Sequence, residues 1–453
     1  MERRIWKNSV LPRMGYLLGF RDSIDENNPS FKDYPKGKEI QENSIYFGQK
    51  KPKISREEWM AIQKYYLSRS PEKIEPAYDF STVKSINLFE TKPISLNLPQ
   101  SSISMVDFLA PSKLMVADYS TGMMFQLNDQ LKVTKYDSVG MGVLEFIERK
   151  DAFWTTMIGP VFIGTDTPLG GMAKYPKDVT KKLSYPIGRL QRPVNANFGD
   201  INGDTKEDIV ICEFGKWSGS LGWWENTSDG YKKHEIIGLP GAICTELVDI
   251  DKDGDLDVMA LLAQAREAIY LFVNDGQGRF SQRMLIQFPS TYGSSYMKLF
   301  DYNDDGLDDI LVTAGDNGDF VDYFTKPYHG LRIYLNQGNY QFNKKEELFI
   351  PIPGIYKAIP SDIDLDGDLD FSVISFFPDQ NQPSFLVYLN QENGYEPFKL
   401  DQNIKGRWIT MSQSDFDQDG DEDIVLGAFD WGKEDKSNDK RYPVVYLENK
   451  TSH

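Results

Sequence analysis

The sequence predicts an all-β fold, a seven-bladed β-propeller, preceded by a small α-helical segment. Five acidic nine-residue segments begin at residues 200, 249, 301, 362 and 415, so they recur at intervals of 49, 52, 61 and 53 residues. Each segment is followed at once by a β-branched or apolar run, such as residues 209–211, and is preceded by another short apolar stretch. A period near 50 residues in an all-β chain is typical of four-stranded propeller blades rather than of a helical solenoid.

The acidic segments are predicted to be calcium loops between strands. Each has Asp or Asn at positions 1, 3, 5 and 9, and four of the five have Gly at position 6. Alternate carboxylates on a tight turn point to one centre, position 7 offers its carbonyl, and Ca²⁺ takes six to eight such oxygens. For a single copy, ordinary Asx-rich turns would be the favoured explanation, but five copies favour a metal, and the all-protein cage favours Ca²⁺ over Mg²⁺. The predicted side-chain ligands are Asp200, Asn202, Asp204, Asp208, Asp249, Asp251, Asp253, Asp257, Asp301, Asn303, Asp305, Asp309, Asp362, Asp364, Asp366, Asp370, Asp415, Asp417, Asp419 and Asp423.

Composition excludes some classes of partner. The formal net charge is −18 and no basic stripe is present, which argues against nucleic-acid binding. No apolar run is long enough for a transmembrane helix, and the first residues lack the apolar stretch of a signal peptide. Up to five Ca²⁺ ions in weak sites imply an extracytoplasmic location, because cytosolic calcium would leave such sites empty. We expect a monomer.

Residues 1–78 are predicted to form a separate helical unit, and residues 79–453 the propeller. Ser55 and Glu58 make a capping box, Trp59, Ile62 and Tyr66 follow at helical spacing, and Pro71 is a stop signal. Another helix is predicted over residues 5–18, and a loop over residues 36–52.

Two stretches of this unit, residues 6–15 (WKNSVLPRMG) and 54–67 (ISREEWMAIQKYYL), resemble the second half of a c-type cytochrome domain. By that resemblance Met14 corresponds to the distal haem ligand. The family's Cys-x-x-Cys-His motif is not in this chain, whose histidines are His234, His329 and His453, so we expect no covalent haem. A methionine packed between helices is the simpler interpretation of Met14.

The repeats share a further pattern beyond the acidic loops. A third strand ends in Asn in each of the five units, at positions 226, 274, 336, 390 and 449. Two degenerate units without the acids precede them, which gives seven blades. The last unit stops just after its third strand, so we predict that an early strand, residues 83–89 or 94–98, completes it and closes the ring.

From about residue 100 to residue 449 the repeats resemble the FG-GAP/VCBS family, the calcium-loop propellers also found in integrin α chains. The resemblance implies that Asp249, Asp251, Asp253 and Asp257 are side-chain ligands, that Asp255 supplies its carbonyl, and that the other loops match them. The first loop departs from the family pattern, with Thr205 in place of Gly and Lys206 at position 7, so we expect its site to be weak or empty.

The resemblance also implies that the calcium loops are structural and that function lies on the opposite face or in the central channel. The longer links expected there mix aromatic and charged residues, which suits recognition of a protein or glycan, although solvated side chains are the alternative for any one of them. The candidates singled out for this ligand face are Arg192, Trp217, Arg266, His329, Arg407 and Trp431, and Tyr296, Lys357 and Trp408 also stand out in the blade-to-blade links.

Three functions remain open from the sequence. The favoured hypothesis is a non-catalytic, calcium-stabilised module that binds a protein or glycan partner. The second is a carbohydrate-active enzyme of the lyase or dehydratase type, which requires a base and a cation in the channel. The third is a redox-associated subunit, suggested by the cytochrome-like stretches. Cys212 and Cys244 are expected to be buried free thiols, with a disulfide as the alternative.

Overall fold

The structure is a computed structural model of the 453-residue chain. It describes residues 1–20, 22, 51–75, 78–109, 112–162, 164–178, 180–264, 266–318, 326–379, 381–401, 404, 406–430 and 442–451. The predicted loop over residues 36–52 lies outside this part of the chain except for its last two residues.

Seven sheets form the blades of a β-propeller, which confirms the predicted fold class. From the innermost strand outward, blade 1 contains Ile103–Leu109, Lys113–Asp118, Met123–Leu127 and Val133–Ser138. Blade 2 contains Val143–Glu148, Ala152–Met157, Gly170–Pro176 and Ser184–Leu190. Blade 3 contains Pro193–Gly199, Asp208–Glu213, Ser220–Thr227 and Gly230–Ile237. Blade 4 contains Ala242–Val248, Asp257–Leu262, Ala268–Asn274 and Phe280–Gln287. Blade 5 contains Ser294–Phe300, Asp309–Ala314, Gly330–Tyr334 and Leu348–Pro351.

The last two blades both recruit strands from the start of the propeller. Blade 6 contains Ile355–Ser361, Asp370–Ser375, Phe385–Gln391 and Gly394–Leu400, with Lys84–Ile86 added in parallel at its outer edge. Blade 7 contains Trp408–Ser414, Asp423–Ala428 and Val444–Asn449, and Phe89–Ile94 is its outermost strand.

An early strand therefore closes the ring, but neither predicted segment is that strand. Phe89–Ile94 runs antiparallel to Val444–Asn449, and the segments 83–89 and 94–98 share only its end residues. Only the two end residues of this strand are buried, so it lacks the alternation of apolar and polar residues that locates a strand in a sequence.

The hydrophobic core lies between neighbouring blades. The second strand of each acidic-loop blade is buried along its whole length, as in Asp257–Leu262. Its two faces pack against the blades on either side. Val258 and Leu262 belong to the core shared with blade 3, whereas Met259 and Leu261 belong to the core shared with blade 5.

The N-terminal unit has a small core of its own. Its helical segments are Arg3–Ile5, a π-helical turn Trp6–Val10, Leu11–Leu17 and Arg56–Arg69. The longest helix begins with the predicted capping box, in which Ser55 and Glu58 bond reciprocally. A cluster around Leu11, Phe20 and Trp59 holds these helices together, and Met14 packs against it. None of the described helices is long and apolar enough to cross a bilayer.

Candidate functional site: acidic loops, ligand face and channel

The five acidic loops share one backbone conformation on one face of the ring. Each joins the end of a blade's first strand to the start of its second, and positions 4 and 6 have left-handed φ in all five. In the last four loops position 6 is glycine, with φ between 81° and 105°. In the first loop the glycine is instead Gly203 at position 4, and Thr205 at position 6 has a φ of 69°. A β-branched residue is therefore held in a strained region of the backbone.

Two aspartates of each loop fix the turn itself, as the fourth loop illustrates. Asp362 at position 1 accepts hydrogen bonds from the backbone N–H groups of Asp366 at 3.1 Å and Gly367 at 3.0 Å. Asp370 at position 9 accepts from Ile363 N at 3.0 Å and from Asn390 N at 2.8 Å. Burial raises the pKa of every position-9 aspartate, to about 6 for Asp370 and Asp423.

Carboxylates converge in three of the loops. In each of these loops three aspartates place one oxygen within 4.8 Å of one another, namely Asp249, Asp251 and Asp253; Asp362, Asp364 and Asp370; and Asp415, Asp417 and Asp419. One enclosed oxygen, Oδ1, of Asp249 and of Asp364 has no hydrogen-bond donor. Clustered carboxylate oxygens, two of them enclosed, form a donor set that fits a hard divalent cation.

The first and third loops differ from these three. In the first, the Nζ atom of Lys206 lies 2.9 Å from Oδ2 of Asp204, so a lysine already pairs with a predicted ligand. In the third, the amide of Asn303 donates to Oδ2 of Asp305 at 3.1 Å. Both interactions occupy oxygens that a cation would use.

The recurring asparagine connects these loops to the sheets. In all five blades its backbone N–H donates to Oδ1 of the position-9 aspartate. In blade 4 the side-chain amide of Asn274 also donates to Ile201 O, in the acidic loop of blade 3, at 2.8 Å. Asn449 of blade 7 makes the same contact with Ile363 O of blade 6 at 2.9 Å. Asn274 and Asn449 thus tie their blades to the acidic loops of neighbouring blades.

The opposite face carries an aromatic cluster near the channel. Its rings follow the second strands of blades 1, 2, 6 and 7. Phe162 stacks on Phe429 with ring centroids 4.7 Å apart and meets Tyr119 edge-on at 5.4 Å. Phe376 and Phe377 belong to the same cluster.

Two of the predicted ligand-face residues border this cluster. Arg192 donates to Phe162 O at 3.2 Å and to Gly215 O at 2.6 Å. Arg407 lies over the Phe376 ring at 4.2 Å and donates its Nε–H to the carbonyl of that residue at 3.2 Å. The sequence identified the two arginines as candidates. The spacing of its residues did not indicate which aromatic rings lie between them.

The other predicted ligand-face residues are dispersed. The backbone N–H of Trp217 donates to Oδ1 of Asp166 at 2.8 Å, which ties the links of blades 2 and 3 together. Arg266 is exposed on a link of blade 4. His329 is only 1% exposed, and its Nδ1 accepts from Gly354 N at 3.3 Å, so it lies in the interior. Burial lowers its pKa. Trp431 lies outside the described residues.

The innermost strands are joined by a closed ring of hydrogen bonds, with at least one between each pair of consecutive blades. The donors and acceptors are Ser104 Oγ to Val143 O, Ala196 N to Glu145 Oε2, Thr245 N to Asn195 Oδ1, Cys244 Sγ to Met297 O, Ser295 Oγ to Ile355 O, Lys357 Nζ to Met411 O, and Val106 N to Thr410 Oγ1.

Charged side chains take part in this ring at the channel. Asp107 and Glu145 lie on innermost strands. So do Tyr296, Lys357 and Trp408, which the sequence had suggested lay in blade-to-blade links. Burial raises the pKa of Asp107 and raises that of Glu145 to about 7. The two acids were missed from the sequence because they belong to the degenerate blades, where no motif marks them.

The two cysteines are free thiols at different blade interfaces. Cys212 lies in the core between blades 3 and 4 and is 3.8 Å from Thr245 Oγ1. Cys244 packs in the core between blades 4 and 5, where its thiol donates to Met297 O at 3.4 Å. Because they face opposite sides of blade 4, they are not placed to form a disulfide.

Comparison with known proteins supports the repeat assignment. Residues 249–312, which contain the second and third acidic loops, match the FG-GAP-like repeat family. No curated protein sequence matches the chain.

Among solved structures the chain is similar to a streptogramin B lyase, with a TM-score of 0.50, 12% identity and coverage of 80% of this chain and 98% of that one. It is also similar to virginiamycin B lyase from Staphylococcus aureus, with a TM-score of 0.47, 13% identity and coverage of 79% and 98%. For Saccharomyces cerevisiae Sqt1 the TM-score is 0.46, the identity is 7% and the coverage is 81% and 99%. Identities this low bear on architecture alone. The chain is a seven-bladed β-propeller that contains an FG-GAP-like repeat.

Proposed function

We propose that this protein is a calcium-stabilised, non-catalytic β-propeller that works outside the cytoplasm and binds a protein or glycan partner on the face opposite its acidic loops. The observation that carries the calcium part is the convergence of three carboxylates in each of three loops. Three like charges held this close repel one another, and a divalent cation converts that repulsion into attraction. The donors are all oxygens on a tight turn, which favours Ca²⁺ over transition metals and over Mg²⁺.

Calcium would stabilise the ring at its joints. The position-1 and position-9 aspartates already accept hydrogen bonds from the loop backbone. Asn274 and Asn449 connect two of these loops to the neighbouring blade. A ligand that binds only the folded state raises stability in proportion to the logarithm of its concentration over Kd. Ca²⁺ in the loops would therefore stiffen the acidic-loop face of the ring. This in turn would hold the opposite, partner-binding face in position.

A thermal melt in EDTA, in Mg²⁺ and in Ca²⁺ tests the metal. We expect the midpoint to rise with Ca²⁺ concentration and to respond less to Mg²⁺. Asp253→Asn and Asp419→Asn should reduce the Ca²⁺-dependent rise, whereas Asp229→Asn, in an exposed hairpin turn, should leave it unchanged. A midpoint that is the same in EDTA and in Ca²⁺ refutes the calcium proposal.

A glycan array and a co-purification experiment on the calcium-loaded protein test the binding role. Arg192→Ala removes a guanidinium that borders the aromatic cluster, and we expect it to weaken binding, with Asp229→Asn in the exposed hairpin turn of blade 3 as the control. Partner binding that responds to neither variant places the partner elsewhere.

A carbohydrate-active enzyme is the second candidate, because two acids and a lysine lie on the innermost strands of the ring. Cleavage of an acidic polysaccharide that is lost in Asp107→Asn would favour it. The redox-associated alternative predicts a Soret band, which an ultraviolet–visible spectrum of the purified protein tests directly.

A further inference from the structure

Lys357 lies at the axis of the ring. It belongs to the innermost strand of blade 6, and its Nζ donates to Met411 O on the innermost strand of blade 7 at 2.9 Å. The same Nζ lies 5.3 Å from the ring centroid of Tyr296 on the innermost strand of blade 5. Asp107, on the innermost strand of blade 1, reaches the same stretch of blade 7, because its carboxyl group accepts a hydrogen bond from Ser412 Oγ, next to Met411, at 2.9 Å. Groups from four blades surround a single atom only where the blades meet.

The ammonium group of Lys357 has no carboxylate partner among the described residues. Its one hydrogen bond is to a carbonyl, and its other close contact is an aromatic face. Lys298, two residues beyond Tyr296, provides the contrast, because its Nζ is 3.3 Å from Oε1 of Glu246. Burial lowers the pKa of Lys357, and a desolvated amine without an ion pair has a larger neutral, nucleophilic fraction.

Two acids, Asp107 and Glu145, lie on innermost strands of the same ring as this amine. Asp107 accepts a hydrogen bond from Ser412 Oγ at 2.9 Å, and Glu145 is bound by the Asn195 amide at 2.7 Å. Both side chains are half-buried, and burial favours their protonated forms. A neutral amine beside a protonated carboxyl group is the pair that imine formation requires.

We propose that Lys357 captures a small aldehyde, such as the open-chain form of a short sugar, as a reversible imine in the central channel. The amine nitrogen attacks the carbonyl carbon, a C–N bond forms, and the carbonyl oxygen becomes a hydroxyl as a proton passes to it from the nitrogen. Asp107 then protonates that hydroxyl, which leaves as water while the C=N bond forms. The remaining nitrogen proton returns to the carboxylate, so no oxidant or reductant is needed. This inference does not depend on calcium or on the partner-binding face.

Reductive trapping on the intact chain tests it. The protein is incubated near neutral pH with glycolaldehyde and sodium cyanoborohydride, and peptide mapping measures the rate of alkylation at each lysine. Lys298 is the comparator, because its side chain is 46% exposed and exposure alone would make it the faster of the two. We expect Lys357 to react faster than Lys298, because burial lowers the pKa of Lys357 and so enlarges the neutral fraction of its amine. Equal rates, or a faster Lys298, overturn the proposal.

Two further measurements distinguish a reactive site formed by the fold from the general reactivity of lysine amines. In urea-unfolded protein the two lysines should react at equal rates, and a preference that survives unfolding counts against the site. Asp107→Asn should slow trapping at Lys357 severalfold without changing the rate at Lys298. An unchanged Lys357 rate in that variant, with the fold retained by circular dichroism, removes the acid from the proposal and with it the argument for imine capture.

Discussion

The asparagine contacts between blades lead to a sharp prediction about stability. Asn274 is 5% exposed, and its side-chain amide donates to Ile201 O at 2.8 Å and to Leu256 O at 3.1 Å, while its Oδ1 accepts from Gly278 N at 3.0 Å. Asn274→Ala removes all three hydrogen bonds and leaves the backbone contact with Asp257 in place. At about 1 kcal/mol net for each buried bond, the loss is about 3 kcal/mol.

Asn336 of blade 5 is the matched control. It is 3% exposed, and its side-chain bonds, to Asp308 O at 3.1 Å and from Gly338 N at 3.0 Å, both stay within its own blade. Asn336→Ala should therefore cost about 2 kcal/mol. Urea-unfolding midpoints of the two variants, measured under identical calcium conditions, give the comparison.

Hydrogen exchange distinguishes a contact between blades from a local one. Asn274→Ala should accelerate amide exchange in residues 200–208 of blade 3 as well as in its own blade, whereas Asn336→Ala should affect blade 5 alone. If residues 200–208 exchange at the wild-type rate in Asn274→Ala, the bond to Ile201 O contributes nothing and the argument for tied loops fails.

Two other substitutions test single features. Thr205→Gly places glycine where φ is 69° and should raise the free energy of unfolding by about 1 kcal/mol, and a loss of stability would show that Thr205 is not strained. Glu145→Gln should flatten the dependence of stability on pH. Because burial raises the pKa of Glu145 from 4.5 to about 7, its contribution is fully present below about pH 4.5 and is lost as the pH rises through about 7. The full shift corresponds to about 3 kcal/mol and partial exposure reduces it to about 1–2 kcal/mol, so urea unfolding at about pH 5 and about pH 8 should differ less in the variant than in the wild type.

The sequence predicted the parts of the fold that repeat. The acidic loops recur with a period that defines the blades, and the asparagine at the end of each third strand was visible as a pattern. Its role was not, because the bond from Asn274 to Ile201 O joins residues 73 positions apart, and no local rule links them.

Features that do not repeat escaped prediction for physical reasons. The closing strand Phe89–Ile94 is mostly exposed, so hydrophobic periodicity could not place it. His329 was predicted to lie on an exposed link, yet the chain turns inward there and Ile352 N bonds to its carbonyl at 3.1 Å. A single sequence gives no signal for such a turn.

The two degenerate blades contribute acidic side chains to the centre of the ring. Blades 1 and 2 lack acidic loops, yet they provide both acids near Lys357, Asp107 and Glu145. Glu145 also bonds to Ala196 N of blade 3, so the same side chain joins two blades and lines the channel. Lys357 comes from blade 6, which does carry an acidic loop, so both kinds of blade contribute charged groups to the axis. The degenerate blades supply the acids and an acidic-loop blade supplies the amine, and this combination makes the channel the part of the ring where chemistry is to be sought.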